Sequence, residues 1–118
     1  MASALWQIDM TPMSEQSAHP RHAFYKDLSE EGTFSVNCLP AIPSGLVPVS
    51  VSASGYDRTI NSPDNSVIDV ASPAVSGFIA SVFLKGGALS HVYAVTIAVT
   101  CTGTPPVVLS ETVLMVIS

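Results

Sequence analysis

VSGFIASVFLKGG (Val75–Gly87), ALSHVYAVTIAVTCTG (Ala88–Gly103) and TPPVVLSETVLMVIS (Thr104–Ser118) are consecutive apolar stretches separated by turn signals. The first break is Lys85-Gly86-Gly87 and the second runs from Thr102 to Pro106. Val, Ile, Thr, Phe and Tyr crowd these runs, and such residues suit a pleated, half-buried surface. In the first run Phe78, Ala80, Val82 and Leu84 alternate with Ile79, Ser81, Phe83 and Lys85. The set opposite Lys85 is expected in the core. In the second, Tyr93, Val95, Ile97, Val99 and Cys101 form an apolar row. The opposite row, Val92 to Thr100, is small and half polar and is expected to face outward. In the third, Val113, Met115 and Ile117 share one side, while Leu114 and Val116 make the other side apolar too.

Upstream, Thr33 to Leu39 alternates with Phe34, Val36 and Cys38 on one side and predicts a first strand. Leu46 to Ala53 predicts a second, with Val47, Val49 and Val51 on one face. Pro48 lacks a ladder donor, which predicts an edge strand or a bulge there. Ser66 to Ala71 predicts a short third strand. About six strands at short spacing without a helical period predict an all-β, immunoglobulin-like antiparallel β-sandwich over residues 32–118, with a small barrel as the alternative. Tyr93 opens its strand just after Gly86-Gly87, where such sandwiches place a tyrosine whose hydroxyl bonds nearby backbone.

Residues 1–31 have a different character. Turn formers and polar groups lack a strand period, yet Leu5, Trp6, Ile8, Met10 and Met13 are apolar. A terminal strand folded back on the same sandwich is one reading. The other, which we take as the expectation, is an extended N-terminal arm that docks on a neighbouring subunit. Trp6 would be its anchor, since tryptophan is enriched at interface hot spots. Leu5, Trp6, Ile8 and Met10 are therefore candidate partner-binding residues. Tyr56, in the turn-rich stretch after the second strand, is a second patch.

The 118 residues suffice for one domain with a real core. Charged residues make up 11% of the chain, against roughly 25% for ordinary soluble domains. Such depletion fits either a Ser/Thr-rich surface or a surface that other subunits cover. The net charge is −5, and the four bases are scattered. Neither nucleic acid nor an anionic membrane is an expected partner. No apolar run approaches the roughly 20 residues of a membrane span. The N-terminus has no basic start followed by a continuous apolar segment, so no signal peptide is read there. Folding in a reducing cytosol is expected, with Cys38 and Cys101 as free, buried thiols.

Candidates for chemistry are few. Pro20 lies between His19 and His22 and breaks any helix that could present them to a metal. His91 sits in a turn without sequence neighbours of use. Asp57, Asp64, Asn65 and Asp69 lack the spacing of a calcium loop. With no nucleophile elbow, phosphate loop or clustered acid–base pair, neither an enzyme nor a cofactor or metal site is expected.

The order GxxxSVFLKGG from Gly77, four residues, Val92-Tyr93 opening a long Val/Thr strand, a polar turn and a last strand ending LMVI resembles a known family. These are the small immunoglobulin-like phage fiber-tail adaptors, which typically read VWLxGG, four or five residues, YxVxxxVxT, a turn and a final apolar strand. Phe34-Ser35-Val36-Asn37 is similar to their VDWS strand without its tryptophan. The turn Thr102–Pro106 lacks the Gly-Arg of many relatives. The resemblance implies a virion structural protein assembled in the host cytoplasm, a tail or neck adaptor that links the portal–tail ring to fibers. It implies other phage tail, portal and fiber proteins as partners and a homo-oligomeric ring of roughly six or twelve copies. A capsid decoration protein, or a carbohydrate-binding or adhesion module using Tyr56, is the alternative for the same fold.

Overall fold

Alternation with a period of two drives every second residue of a strand out of water, and two sheets result that bury their rows against each other. The computed structural model describes residues 4–11, 22–69, 72–103 and 105–118. The strands are β1 (Ala4–Asp9), β2 (His22–Lys26), β3 (Gly32–Asn37), β4 (Pro48–Asp57) and β5 (Ser62–Pro63), followed by a 3₁₀ turn (Asn65–Val67). Then come β6 (Ala74–Ser76), β7 (Ile79–Leu84), β8 (Val92–Cys101) and β9 (Val107–Ile117). One sheet has the order β1-β3-β7-β6 and the other β2-β9-β8-β4-β5. Two packed sheets exclude the barrel alternative. The cores of the two sheets, β1-β3-β7-β6 and β9-β8-β4, follow the immunoglobulin arrangement.

The expected inward rows are observed. Phe34, Val36 and Cys38 are buried, as are Ala80, Val82 and Leu84, and the whole row from Tyr93 to Cys101. Phe78 is only half-buried. The Tyr93 hydroxyl accepts the Ala88 amide at 2.9 Å, which pins the turn before β8 to its first inward residue. Gly87 in that turn has φ +99°, and a Cβ there would lie 2.8 Å from the Ile117 side chain, so only glycine fits. Cys38 and Cys101 are free and buried, and burial pushes both thiols up.

Several expectations are corrected. The sheets are mixed rather than antiparallel, because β1 pairs parallel with β3 and β2 parallel with β9. Hairpins force antiparallel neighbours, but neither of these pairs is joined by a hairpin. Val47 and Val49 are exposed, while Val51 and Ala53 pack on the core. The ladder shifts register between Pro48 and Ser50, and this bulge reverses the parity upstream of it. In the described part of the third predicted strand, residues 66–69, the chain instead forms the end of the 3₁₀ turn followed by a single bridge from Ile68 to Leu84, and Val70 and Ala71 lie outside the described residues. Asp64 caps that turn by accepting the Ser66 amide at 2.9 Å, which favours a turn over an extended start.

The largest correction concerns the arm. Among its described residues, 4–11 and 22–26 belong to the sandwich, one segment in each sheet. Met10 is 1% exposed. The Trp6 ring lies 5.0 Å from that of Phe24, and Phe24 lies 5.3 Å from Phe34, so an aromatic file crosses from one sheet to the other. Such pairs add about 0.5–1.5 kcal/mol beyond the area they bury. The Thr11 amide donates to Glu111 Oε1 at 2.6 Å, tying the end of β1 to β9 of the opposite sheet. The segment therefore folds back because apolar residues at alternate positions, Trp6, Ile8 and Met10, find a core in their own chain. Met13, also assigned to the arm, lies outside the described residues.

Met10→Ala is expected to cost about 2–5 kcal/mol by urea denaturation. An unchanged midpoint would mean that this segment does not contribute to the core.

Candidate assembly surface

The charged residues within the strands have an unusual placement. They are Asp9, Lys26, Asp57 and Glu111. Lys26, Asp57 and Glu111 are buried, at 0%, 1% and 8% exposure. Each is held by a specific polar partner, as burial of charge requires. Lys26 Nζ donates to the carbonyls of Gly86 at 2.8 Å and Asp27 at 3.0 Å. Burial pushes its ammonium below the ordinary lysine value, with Glu30, Glu31 and Asp27 opposing in part. Asp57 Oδ2 meets His91 Nδ1 at 2.7 Å, and its Oδ1 accepts the Thr59 amide at 3.0 Å. His91, read from the sequence as a turn residue without partners, thus closes the end of β4 onto the start of β8. The tertiary ladder brings Asp57 beside it.

With these groups turned inward, the outer face of the five-stranded sheet carries no charged strand residue among the described residues. Register defines its rows. Ser54, Thr96 and Thr112 form the middle row, where Thr96 Oγ1 and Thr112 Oγ1 lie 2.9 Å apart and satisfy each other. Toward one end lie Ser52, Ala98 and Ser110, then Ser50, Thr100 and Val108. Toward the other end come Tyr56, Ala94, Leu114 and Ala23, then Val92, Val116 and Tyr25. Tyr25 is 74% exposed and Val108 61%. Arg58 lies just past β4, at the rim. On the four-stranded sheet, by contrast, Asp9 occupies an outward position beside Asn37.

The candidate residues from the sequence do not form one site. Trp6, Ile8 and Met10 point inward and are half-buried or buried, so they anchor β1 rather than a partner. Leu5 is 71% exposed on the outer side of the four-stranded sheet. Tyr56 is exposed on the other sheet, in the charge-free face. The expected outward row of β8, Val92 to Thr100, is part of that face. The sequence reading missed Tyr25. Its signal is the alternation His22, Phe24, Lys26 against Ala23, Tyr25, obscured because Lys26 stands on the buried side. His22 belongs to β2, and His19 lies outside the described residues. Among the described residues no cluster of three or more His, Cys, Asp or Glu could hold a metal ion.

Comparison with protein-family models, with curated protein sequences and with solved structures finds no match. What the surface can do therefore rests on its own chemistry. Among the described residues the face carries hydroxyls, methyls and two tyrosine rings and no charged strand residue. It suits packing against another uncharged surface.

The Asp57–His91 pair gives the fold an acid-sensitive closure. Burial by itself would push the Asp57 carboxyl up. The His91 hydrogen bond, the Thr59 amide, the His91 charge and the Ile60 amide more than offset this and hold it below the usual carboxylate range. Its stabilising contribution is thus complete above the unfolded carboxyl's value of about 3.9 and is lost as pH falls through the lower folded value. Urea midpoints measured from about pH 6 down to about pH 2.5 should fall less steeply for Asp57→Asn than for the native chain; identical slopes would refute this assignment.

Proposed function

We propose that this chain is a phage virion structural protein, a tail or neck adaptor that joins the portal–tail ring to fibers. Its site of action is a docking surface rather than a reaction centre. The observation that carries this reading is the charge-free outer face of the five-stranded sheet, combined with strand charges turned inward. An acidic chain in water gains solubility from outward charge, and this chain instead hides three charged groups at the cost of desolvating them. A face kept neutral in that way is suited to being covered. The resemblance of Gly77 to Ser118 to the fiber-tail adaptors supports the same reading and supplies the particle context: a ring of roughly six or twelve copies, with tail, portal and fiber proteins as neighbours.

The Tyr25 and Tyr56 rings, both exposed on this face, favour a second reading as a glycan-binding adhesion module. A glycan array that binds the native chain, with loss of signal in Tyr56→Ala, would favour it over the adaptor.

The adaptor reading is tested by incorporation. Ala98→Glu places a carboxylate in the neutral face, and particles assembled with it should contain at most about a tenth of the native copy number, since a like or unpaired charge at an interface costs several kcal/mol. Quantitative mass spectrometry of purified particles reads this directly. Native incorporation of the variant would exclude this face as the docking surface. Hundreds of native copies per particle would move the protein from the tail to the capsid lattice.

A further inference from the structure

We infer that β1 is a detachable strap: it opens as a unit from a sandwich whose other ladders stay closed, and the Glu111 carboxylate is its latch. Three observations set β1 apart. It stands at the end of the four-stranded sheet and, among the described residues, pairs with β3 alone. Its ladder is parallel, the slightly weaker pairing per residue. Its inward residues Trp6 and Ile8 are only half-buried, while the residues they pair with on β3, Phe34 and Val36, are fully buried. Segments of one protein open at free energies from near zero up to the global value, and those with few buried contacts lie at the low end.

The latch lies at one end of the strand. Glu111 stands in the inward row of β9, where Leu109, Val113, Met115 and Ile117 are apolar. Its ladder partner, Ile97, is apolar too. Burying a carboxylate there costs desolvation, and packing against these neighbours does not call for one. What the carboxylate meets is the Thr11 amide, which donates to Oε1 at 2.6 Å. A bond to a charged acceptor is stronger than a neutral one. The Met10 amide donates to the Asn37 carbonyl at 2.8 Å, and the Met10 side chain is buried in the core. The hold on β1 is thus concentrated at residues 10 and 11. With β1 away, water reaches the Glu111 carboxylate. Opening then hydrates a charge, which offsets part of the apolar exposure, and an apolar residue at 111 would give no such offset.

Departure of β1 breaks one ladder. The pairings β3-β7-β6 and β2-β9-β8-β4-β5 all remain. The other parallel strand, β2, is fixed separately. Lys26 Nζ donates to the Gly86 carbonyl at 2.8 Å, the Ser118 amide to the Lys26 carbonyl at 2.9 Å, and the Leu28 amide to the Ser118 carbonyl at 3.1 Å. The segment 12–21 has the length to reach roughly 30 Å, at about 3.4 Å per residue, so β1 can leave without drawing β2 from β9. Opening uncovers the edge of β3 and the face of Phe24 that Trp6 covers.

Trp6 is the chain's single tryptophan. Its fluorescence therefore reports β1, while far-UV circular dichroism reports all the strands. Urea titration of the full chain with both probes tests the inference. The Trp6 transition should precede the dichroism transition. Glu111→Ala should lower the Trp6 midpoint by about 1 M and leave the dichroism midpoint in place. The cost of Met10→Ala should fall on the Trp6 transition as well. Should Glu111→Ala fail to fold, Ile8→Ala, on β1 itself, carries the same test of separate opening. In native-state hydrogen exchange the β1 amides should exchange at least about tenfold faster than those at the centre of β8. Coincident transitions in the native chain, equal shifts of both midpoints in the variants, or equal protection of β1 and β8 would make β1 part of one cooperative unit and overturn the inference. A Trp6 midpoint unmoved by Glu111→Ala would overturn the latch.

Discussion

The ladder between β8 and β9 runs from the Val92–Val116 pair to the Cys101–Val107 pair without a register shift. Because side chains alternate strictly across it, burying Tyr93, Val95, Ile97, Val99 and Cys101 on one side obliges Val92, Ala94, Thr96, Ala98 and Thr100 to lie on the other. A slip of one residue would exchange the two sets. That single constraint sets both the core and the outer face. The Tyr93 hydroxyl holds the entry to β8 against the Ala88 amide, and Gly87 lets Ile117 close over the turn. β4 adds to the far side of β8 only after a bulge has absorbed the parity error that Pro48 introduces.

Buried charge is the second organising fact. Lys26, Asp57 and Glu111 all occupy core-facing positions, which costs desolvation, and each offsets that cost with local acceptors or donors. Their bonds are also joints. Glu111 connects the end of β1 to β9, Lys26 connects β2 to the Gly86 turn, and Asp57 connects β4 to the start of β8. All three lie where a strand or turn must be fixed relative to a neighbour that hairpin geometry does not control. What results is a sandwich whose polar effort is spent inside, leaving one broad outer face with hydroxyls, methyls and two tyrosines.

Legibility varied with the range of the interaction. The strands from Ile79 onward could be read because their alternation is long and bounded by Gly and Pro. The inward row of Phe34, Val36 and Cys38 was clear for the same reason. β1 and β2 escaped because each is short, their paired neighbours lie far along the chain, and Lys26 breaks the apolar row of β2. Trp6 looked like an anchor for a partner. Its actual neighbour is Phe24, on a strand in the opposite sheet. Tyr56 was visible as an exposed aromatic, but its companions in the face, Tyr25, Leu114 and Val116, come from strands that only the register aligns. His91 has no partner close in sequence, because the ladder and not sequence proximity brings Asp57 beside it.

By itself, then, the sequence determined the all-β class, the rows that enter the core, the turn at Gly86-Gly87 and the scarcity of charge. Each of these depends on residue type and local period alone. Only the tertiary structure decided that the N-terminal segment closes the sandwich, that the sheets are mixed, that three charges point inward and that a neutral face survives on one side. These depend on which distant strands lie side by side. Parallel pairing, cross-sheet stacking and the hydrogen bonds that hold the buried charges gain their energy from contacts between residues far apart in the chain, and no local pattern encodes that proximity.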